Sequence, residues 1–171
     1  RTREQISAHR HPELKIEVIT DAEVAFEGLL NTHAKRRQAR DEERPCVLIT
    51  RQPGPGDKWV AEMSNINRLE CRHLQTVNMD EYADENGKTP PPTWKHGFMY
   101  SMMTHFYANI DPALRPPIEQ VKGPTSDNID DYGKMLADMG GADFCYSGPG
   151  WTGHLAFVEP DCPEFDAPLE E

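Results

Sequence analysis

The sequence predicts an α/β domain: a mostly parallel sheet with helices on both faces. Two observations predict it. Strand-like and helix-like periods alternate along the chain, which is the pattern of βαβ units. The segments between them are rich in Pro and Gly, as in Gln52-Pro53-Gly54-Pro55-Gly56 and Ser147-Gly148-Pro149-Gly150, where regular structure stops. A chain of 171 residues can bury about 70% of its unfolded surface, enough for one core. The expectation is a single domain over 1–171, incomplete at its C-terminus, with an acidic tail over 161–171. The start at Arg1 points to a fragment or a processed chain.

The elements follow in order. Leu14, Ile16 and Val18 alternate with Lys15 and Glu17, as in a half-buried strand. Thr20 or Asp21 can cap a helix with Ala22, Phe26, Leu29, Leu30 and His33 on one face. The basic run Lys35-Arg36-Arg37 suits that helix's C-terminal dipole. After Pro45, Cys46-Val47-Leu48-Ile49 reads as a buried strand. A helix with Trp59, Val60, Met63 and Ile66 on one side comes next, then a strand from Leu74 to Met79. The polar loop 83–92 ends in three prolines. Thr93 is placed to cap a helix striped by Trp94, Phe98, Met102, Phe106 and Ile110. Ser126 is placed to cap another, carrying Ile129, Tyr132, Leu136 and Met139. Ala142 to Tyr146 reads as a last strand.

Composition excludes several function classes. Lys and Arg number 18 against 29 Asp and Glu, a net charge of −11. A nucleic-acid or anionic-membrane binder would need a basic face instead. Mean hydropathy is −0.73, no apolar run approaches the ~20 residues of a membrane span, and no secretory leader is visible. Cys46, Cys71, Cys145 and Cys162 are scattered, without CxxC or ligand-like spacing to histidine, so neither a disulfide scaffold nor a metal site is expected. A cytoplasmic protein is the expectation.

Parallel α/β sheets place ligands at the carboxyl ends of their strands, and two segments there carry reactive side chains. The first is Val77-Asn78-Met79-Asp80-Glu81-Tyr82. A carboxylate in that place can take a proton from a substrate carbon if burial raises its pKa; a lone Asp-Glu pair more often caps a turn. The second segment is 148–160, where a Gly-rich turn leads into His154, with Glu159 five residues on. A histidine oriented by a carboxylate is a usable acid–base pair near neutral pH. Taken singly, a histidine in a glycine turn is more often structural.

Asn78-Met79-Asp80-Glu81-Tyr82 and Gly153-His154-Leu155-Ala156-Phe157-Val158-Glu159-Pro160 together resemble the two signature segments of the glucosamine-6-phosphate deaminase (isomerase) family. That family shares its modified Rossmann-like fold with 6-phosphogluconolactonases, which lack the Phe-x-Glu-Pro ending. The resemblance covers the family's N-terminal and central parts only. It implies a cytoplasmic enzyme of hydrolase and isomerase class in amino-sugar metabolism. No cofactor is implied; the partner is a small sugar phosphate, and a homo-oligomer is compatible with it. Asp80 would move a proton between C2 and C1 of the opened amino sugar, which loses ammonia. His154 would assist ring opening and Glu159 would orient its imidazole, with Glu81 in support.

Three departures accompany the resemblance. The family's aspartate two residues before the histidine is Thr152 here, a hydroxyl that supplies no negative charge. The family's Gly-Gly phosphate turn aligns with Arg51-Gln52-Pro53-Gly54-Pro55-Gly56, where prolines remove amide donors. Substrate contacts are therefore expected from Arg51, Gly54 and Gly153, with Lys58 as another cation nearby. The third departure is the missing later part of the family's domain. The alternative reading is a catalytically weakened sugar-phosphate-binding or regulatory paralogue; lactone hydrolysis has fold-level support alone. Gly148, Gly150 and Gly153 also satisfy a GxGxxG spacing, a weak dinucleotide signal. The methionines of the 94–110 stripe read as core filler.

Overall fold

A computed structural model of the chain describes residues 38–39 and 41–163. The strand expected at 14–18, the helix after Asp21, the basic run at 35–37 and most of the acidic tail lie outside the described residues.

Four strands form one sheet: β1 (Cys46–Thr50), β2 (Leu74–Asn78), β3 (Val121–Lys122) and β4 (Phe144–Tyr146), in the order β3-β2-β1-β4. Every pairing is parallel, with Cys46 opposite Leu74, Leu48 opposite both Thr76 and Phe144, and Thr76 opposite Val121. The expected α/β, Rossmann-like class is what the described residues form. From β1 the chain moves outward through β2 to β3, then returns to β4 on the far side of β1. Right-handed crossovers put the returning connection on the opposite face from the outgoing ones. The reversal makes the β1–β4 junction a topological switch point, where such sheets bind ligands.

Helix α1 (Asp57–Ile66) joins β1 to β2. Its buried positions are Ala61 and Ser64, whereas Trp59 and Ile66 are each 67% exposed. The stripe expected through Trp59 and Ile66 is thus rotated. Small residues let the helix lie close to the sheet, and the Ser64 hydroxyl is satisfied by Val60 O at 2.8 Å. Helix α2 (Phe98–Ser101) continues into a π-turn (Met102–Phe106) and a 3-10 turn (Tyr107–Asn109). Phe98, Met102, Phe106 and Ile110 are buried as the periodicity required, but Trp94 is 41% exposed and Thr93 caps nothing, because the helix starts after Gly97. Helix α3 (Tyr132–Asp138) follows a 3-10 turn at Ile129–Asp131. Ser126 is not its cap, and Ile129 is 55% exposed; Asn128 Oδ1 instead closes the preceding turn on Thr125 N–H at 2.7 Å.

The core lies on one sheet face, where Cys46, Leu48 and Leu74 meet Ala61, Met102, Phe106, Ile110 and Leu114. At the opposite end from the strand carboxyl termini, Asp143 ties β4 to β1. Its carboxylate accepts from both terminal nitrogens of Arg44, at 2.8 and 2.9 Å, and from Val47 N–H at 2.9 Å. Asp143→Asn keeps the shape and removes the charge. It is expected to cost about 1 kcal/mol, read as a fall of about 2–4 °C in Tm. No helix among the described residues is long and apolar enough to cross a membrane.

Candidate active site

The end of β2 is held from both sides. Met79 N–H donates to Thr50 O at 2.9 Å, Thr50 Oγ1 donates to Asn78 Oδ1 at 3.3 Å, and Tyr132 Oη donates to Asn78 O at 2.8 Å. Asp80 leaves the strand at this fixed point. Its Oδ1 is buried with no hydrogen-bond partner. Burial raises its pKa above the ordinary carboxylate value; the neighbouring Glu81 charge adds to this, and His154 opposes it. A carboxylate that is poorly solvated and unpartnered is a strong proton acceptor. The Tyr132 hydroxyl is also pushed upward, by burial first and then by the charge of Asp80. Sequence reasoning treated Tyr132 as a helix-stripe residue. Nothing local signals its meeting with a strand end 54 residues earlier.

Glu81 turns away from this chemistry. Its two carboxylate oxygens accept from Phe98 N–H and Met99 N–H, each at 2.9 Å, so it caps α2 from a distant loop. A Cβ on Gly97 would stand 3.4 Å from both oxygens and 3.3 Å from Trp94 O; glycine leaves the carboxylate its seat.

The second segment folds back on itself. Gly153 N–H donates to Gly150 O at 3.0 Å and Gly150 N–H to His154 O at 2.9 Å. Gly153 adopts φ +93°, a conformation that favours glycine. The imidazole of His154 lies so close over Gly150 that any Cβ there would overlap Nε2. His154 Nδ1 is 3.0 Å from Glu159 Oε1 and 3.0 Å from Thr152 Oγ1. Glu159 is held below the ordinary carboxylate range by the Thr152 hydroxyl first, then by His154, against a raising effect of burial. Nδ1–H therefore donates to the carboxylate, which leaves Nε2 as the nitrogen for chemistry.

A tight turn completes the segment. Leu155 and Val158 form an antiparallel bridge around Ala156 and Phe157, with φ +50° and +64°. The Phe157 ring sits 5.4 Å from His154, 6.1 Å from Phe98 and 6.2 Å from Tyr82, centroid to centroid. These contacts bring the two sequence segments together, so that Asp80 feels the charge of His154. A left-handed alanine is strained by roughly 1–2 kcal/mol. Ala156→Gly is expected to raise Tm by about 2 °C, measured by thermal unfolding.

The loop after β1 is different. Arg51 donates to Gln52 O at 2.6 Å and approaches Asp57 Oδ2 at 3.4 Å. Gly54 N–H also donates to Asp57 Oδ2, at 2.7 Å. Thus Arg51 and Gly54 converge on an internal carboxylate, and the described hydrogen bonds link neither to Asp80 or His154. Gly153 shapes the histidine turn. Among the described residues, no three His, Cys, Asp or Glu side chains are grouped to hold a metal ion.

No family model matches the chain. Curated proteins do. The glucosamine-6-phosphate deaminase of Bacillus velezensis is 34% identical over 110 residues, which is 62% of this chain and 43% of that protein. This chain resembles glucosamine-6-phosphate deaminases. The protein of that name from Dictyostelium discoideum is 28% identical over 138 residues, 77% of this chain and 49% of its own. That from Caenorhabditis elegans is 31% identical over 107 residues, 60% and 38% respectively. The chain thus spans less than half the length of these relatives. Their names also correct one expectation. They are named deaminases, not hydrolases, and the hydrolase class is withdrawn.

Proposed function

We propose that this chain carries the acid–base machinery for isomerising an amino-sugar phosphate to a ketose phosphate with loss of ammonia. One observation carries the reading. Two segments far apart in sequence place a carboxyl with one oxygen buried and unpartnered, Asp80, within electrostatic reach of an oriented imidazole, His154. Asp80 takes the proton from C2 of the opened sugar and returns it to C1, and one water then adds to the resulting C2 imine, expelling ammonia and leaving the ketone at C2. Nε2 of His154 relays a proton to and from the ring oxygen during opening. Glu159 supplies the charge that supports the imidazole, and the Thr152 hydroxyl braces Glu159 rather than adding a second charge. Gly153 lets the turn approach substrate; Arg51 and Gly54 are the candidates for the phosphate side, and reaching a phosphate requires them to leave Asp57.

The test is ammonia release from glucosamine 6-phosphate, with Asp80→Asn as control. Release that the substitution removes supports the proposal. Thr152, which sets a hydroxyl rather than a second carboxylate 3.0 Å from His154 Nδ1, favours a second reading, a protein that binds sugar phosphate without turnover. Stabilisation by glucosamine 6-phosphate with no ammonia released would select that second reading.

A further inference from the structure

The turn Leu155-Ala156-Phe157-Val158 is built against its own residues. A two-residue hairpin of this kind needs positive φ at both central positions and favours Asn-Gly or Asp-Gly. Here the two positions are Ala156 at +50° and Phe157 at +64°, and an aromatic residue is a rare occupant of that region. The paired hydrogen bonds Val158 N–H to Leu155 O, at 2.9 Å, and Leu155 N–H to Val158 O, at 3.2 Å, hold it there. Such strain persists where the surroundings over-determine it, and it clusters at functional sites. Burial of the ring does not offset it, because Phe157 remains 48% exposed.

What the strained backbone achieves is placement. It sets one ring against His154, Tyr82 and Phe98 at once. Tyr82 and Phe98 flank the strand end that carries Asp80, and their rings are themselves 5.1 Å apart, edge to face. The polar contacts of His154 to Glu159 and Thr152 fix only its Nδ1 side. We infer that Phe157 is a positioning residue, driven by the left-handed turn against the His154 ring so that the imidazole keeps one orientation relative to Asp80. The inference rests on the acid–base reading above, but part of its test does not.

Nitrogen-15 NMR of the His154 side chain reads whether Nδ1–H stays on Glu159, a hydrogen bond that persists only while the ring keeps its orientation; Glu159 is the carboxylate in contact with the ring, and Asp80 acts on it through charge alone. The unsubstituted protein is expected to show a single tautomer, protonated at Nδ1. Phe157→Ala is expected to give a mixture of tautomers and to lower kcat for ammonia release at least tenfold, with KM changed by less than about threefold. Phe157→Tyr, which keeps the ring, restores both. Phe157→Leu carries the same expectation as alanine and replaces it if that protein fails to fold. A folded alanine or leucine variant with the single Nδ1 tautomer intact overturns the inference. If the unsubstituted protein releases no ammonia, the catalytic reading fails alone, and the tautomer still decides the role of Phe157.

Discussion

Asp80→Asn is expected to lower ammonia release by roughly 10²–10⁴-fold, the contribution of a well-placed general base, while making the protein more stable at neutral pH. Both results come from one cause. Burial and the charge of Glu81 raise the Asp80 pKa above its ordinary value of 3.8, against the pull of His154. The folded state therefore binds this proton more tightly than the unfolded state does. Stability associated with Asp80 is present in full below about pH 3.8 and is lost as pH rises through the folded pKa. Asparagine carries no such penalty. The variant should melt about 2 °C above the unsubstituted protein at pH 7, and the two curves should merge near pH 3.5. The same shift moves the acidic limb of the pH–rate profile above that of an ordinary carboxylate. An asparagine variant that loses activity and also loses stability at pH 7 would show that the carboxylate is needed by the fold, and Asp80 would lose its role as base.

The sheet was legible because burial leaves a strong mark. Cys46-Val47-Leu48-Ile49 and Leu74 to Asn78 are apolar runs or alternations bounded by turn residues, and a strand in the middle of a parallel sheet permits little else. The helix faces were less legible. Trp59 and Ile66 mark the wrong side of α1 because size does not decide which face meets the sheet; close approach favours Ala61 and Ser64. Helix starts failed for a related reason. Thr93 and Ser126 are good local caps, but α2 takes its cap from Glu81 through tertiary contact, and no window of sequence holds both partners. At the candidate site, the sequence named Asp80, His154 and Glu159, and the fold brings their two segments together. It did not single out Tyr132 and Phe157, whose contacts are made across the fold. It also placed Arg51 and Gly54 toward substrate without seeing that Asp57, at the first position of α1, already engages both.

Glu81 offers the sharpest separation of structural from catalytic acid. Its two oxygens satisfy two consecutive amides at the start of α2, and Phe98, which carries one of them, is only 6% exposed. Removing the carboxylate leaves these donors poorly solvated, at a cost of about 2–3 kcal/mol. Glu81→Ala is expected to lower Tm by about 5–10 °C and to speed hydrogen exchange at the Phe98 and Met99 amides. Glu81→Gln keeps one acceptor oxygen and should fall between the two proteins. Its effect on rate is indirect. Removing the charge beside Asp80 takes away the second cause of its raised pKa, so the acidic limb of the pH–rate profile should move to lower pH while the plateau stays within a few-fold. Asp80→Asn, by contrast, should remove the plateau itself. If Glu81→Gln abolished turnover with Tm and amide exchange unchanged, Glu81 would be the reacting acid, and the bidentate cap on α2 would have no part in how this site is held.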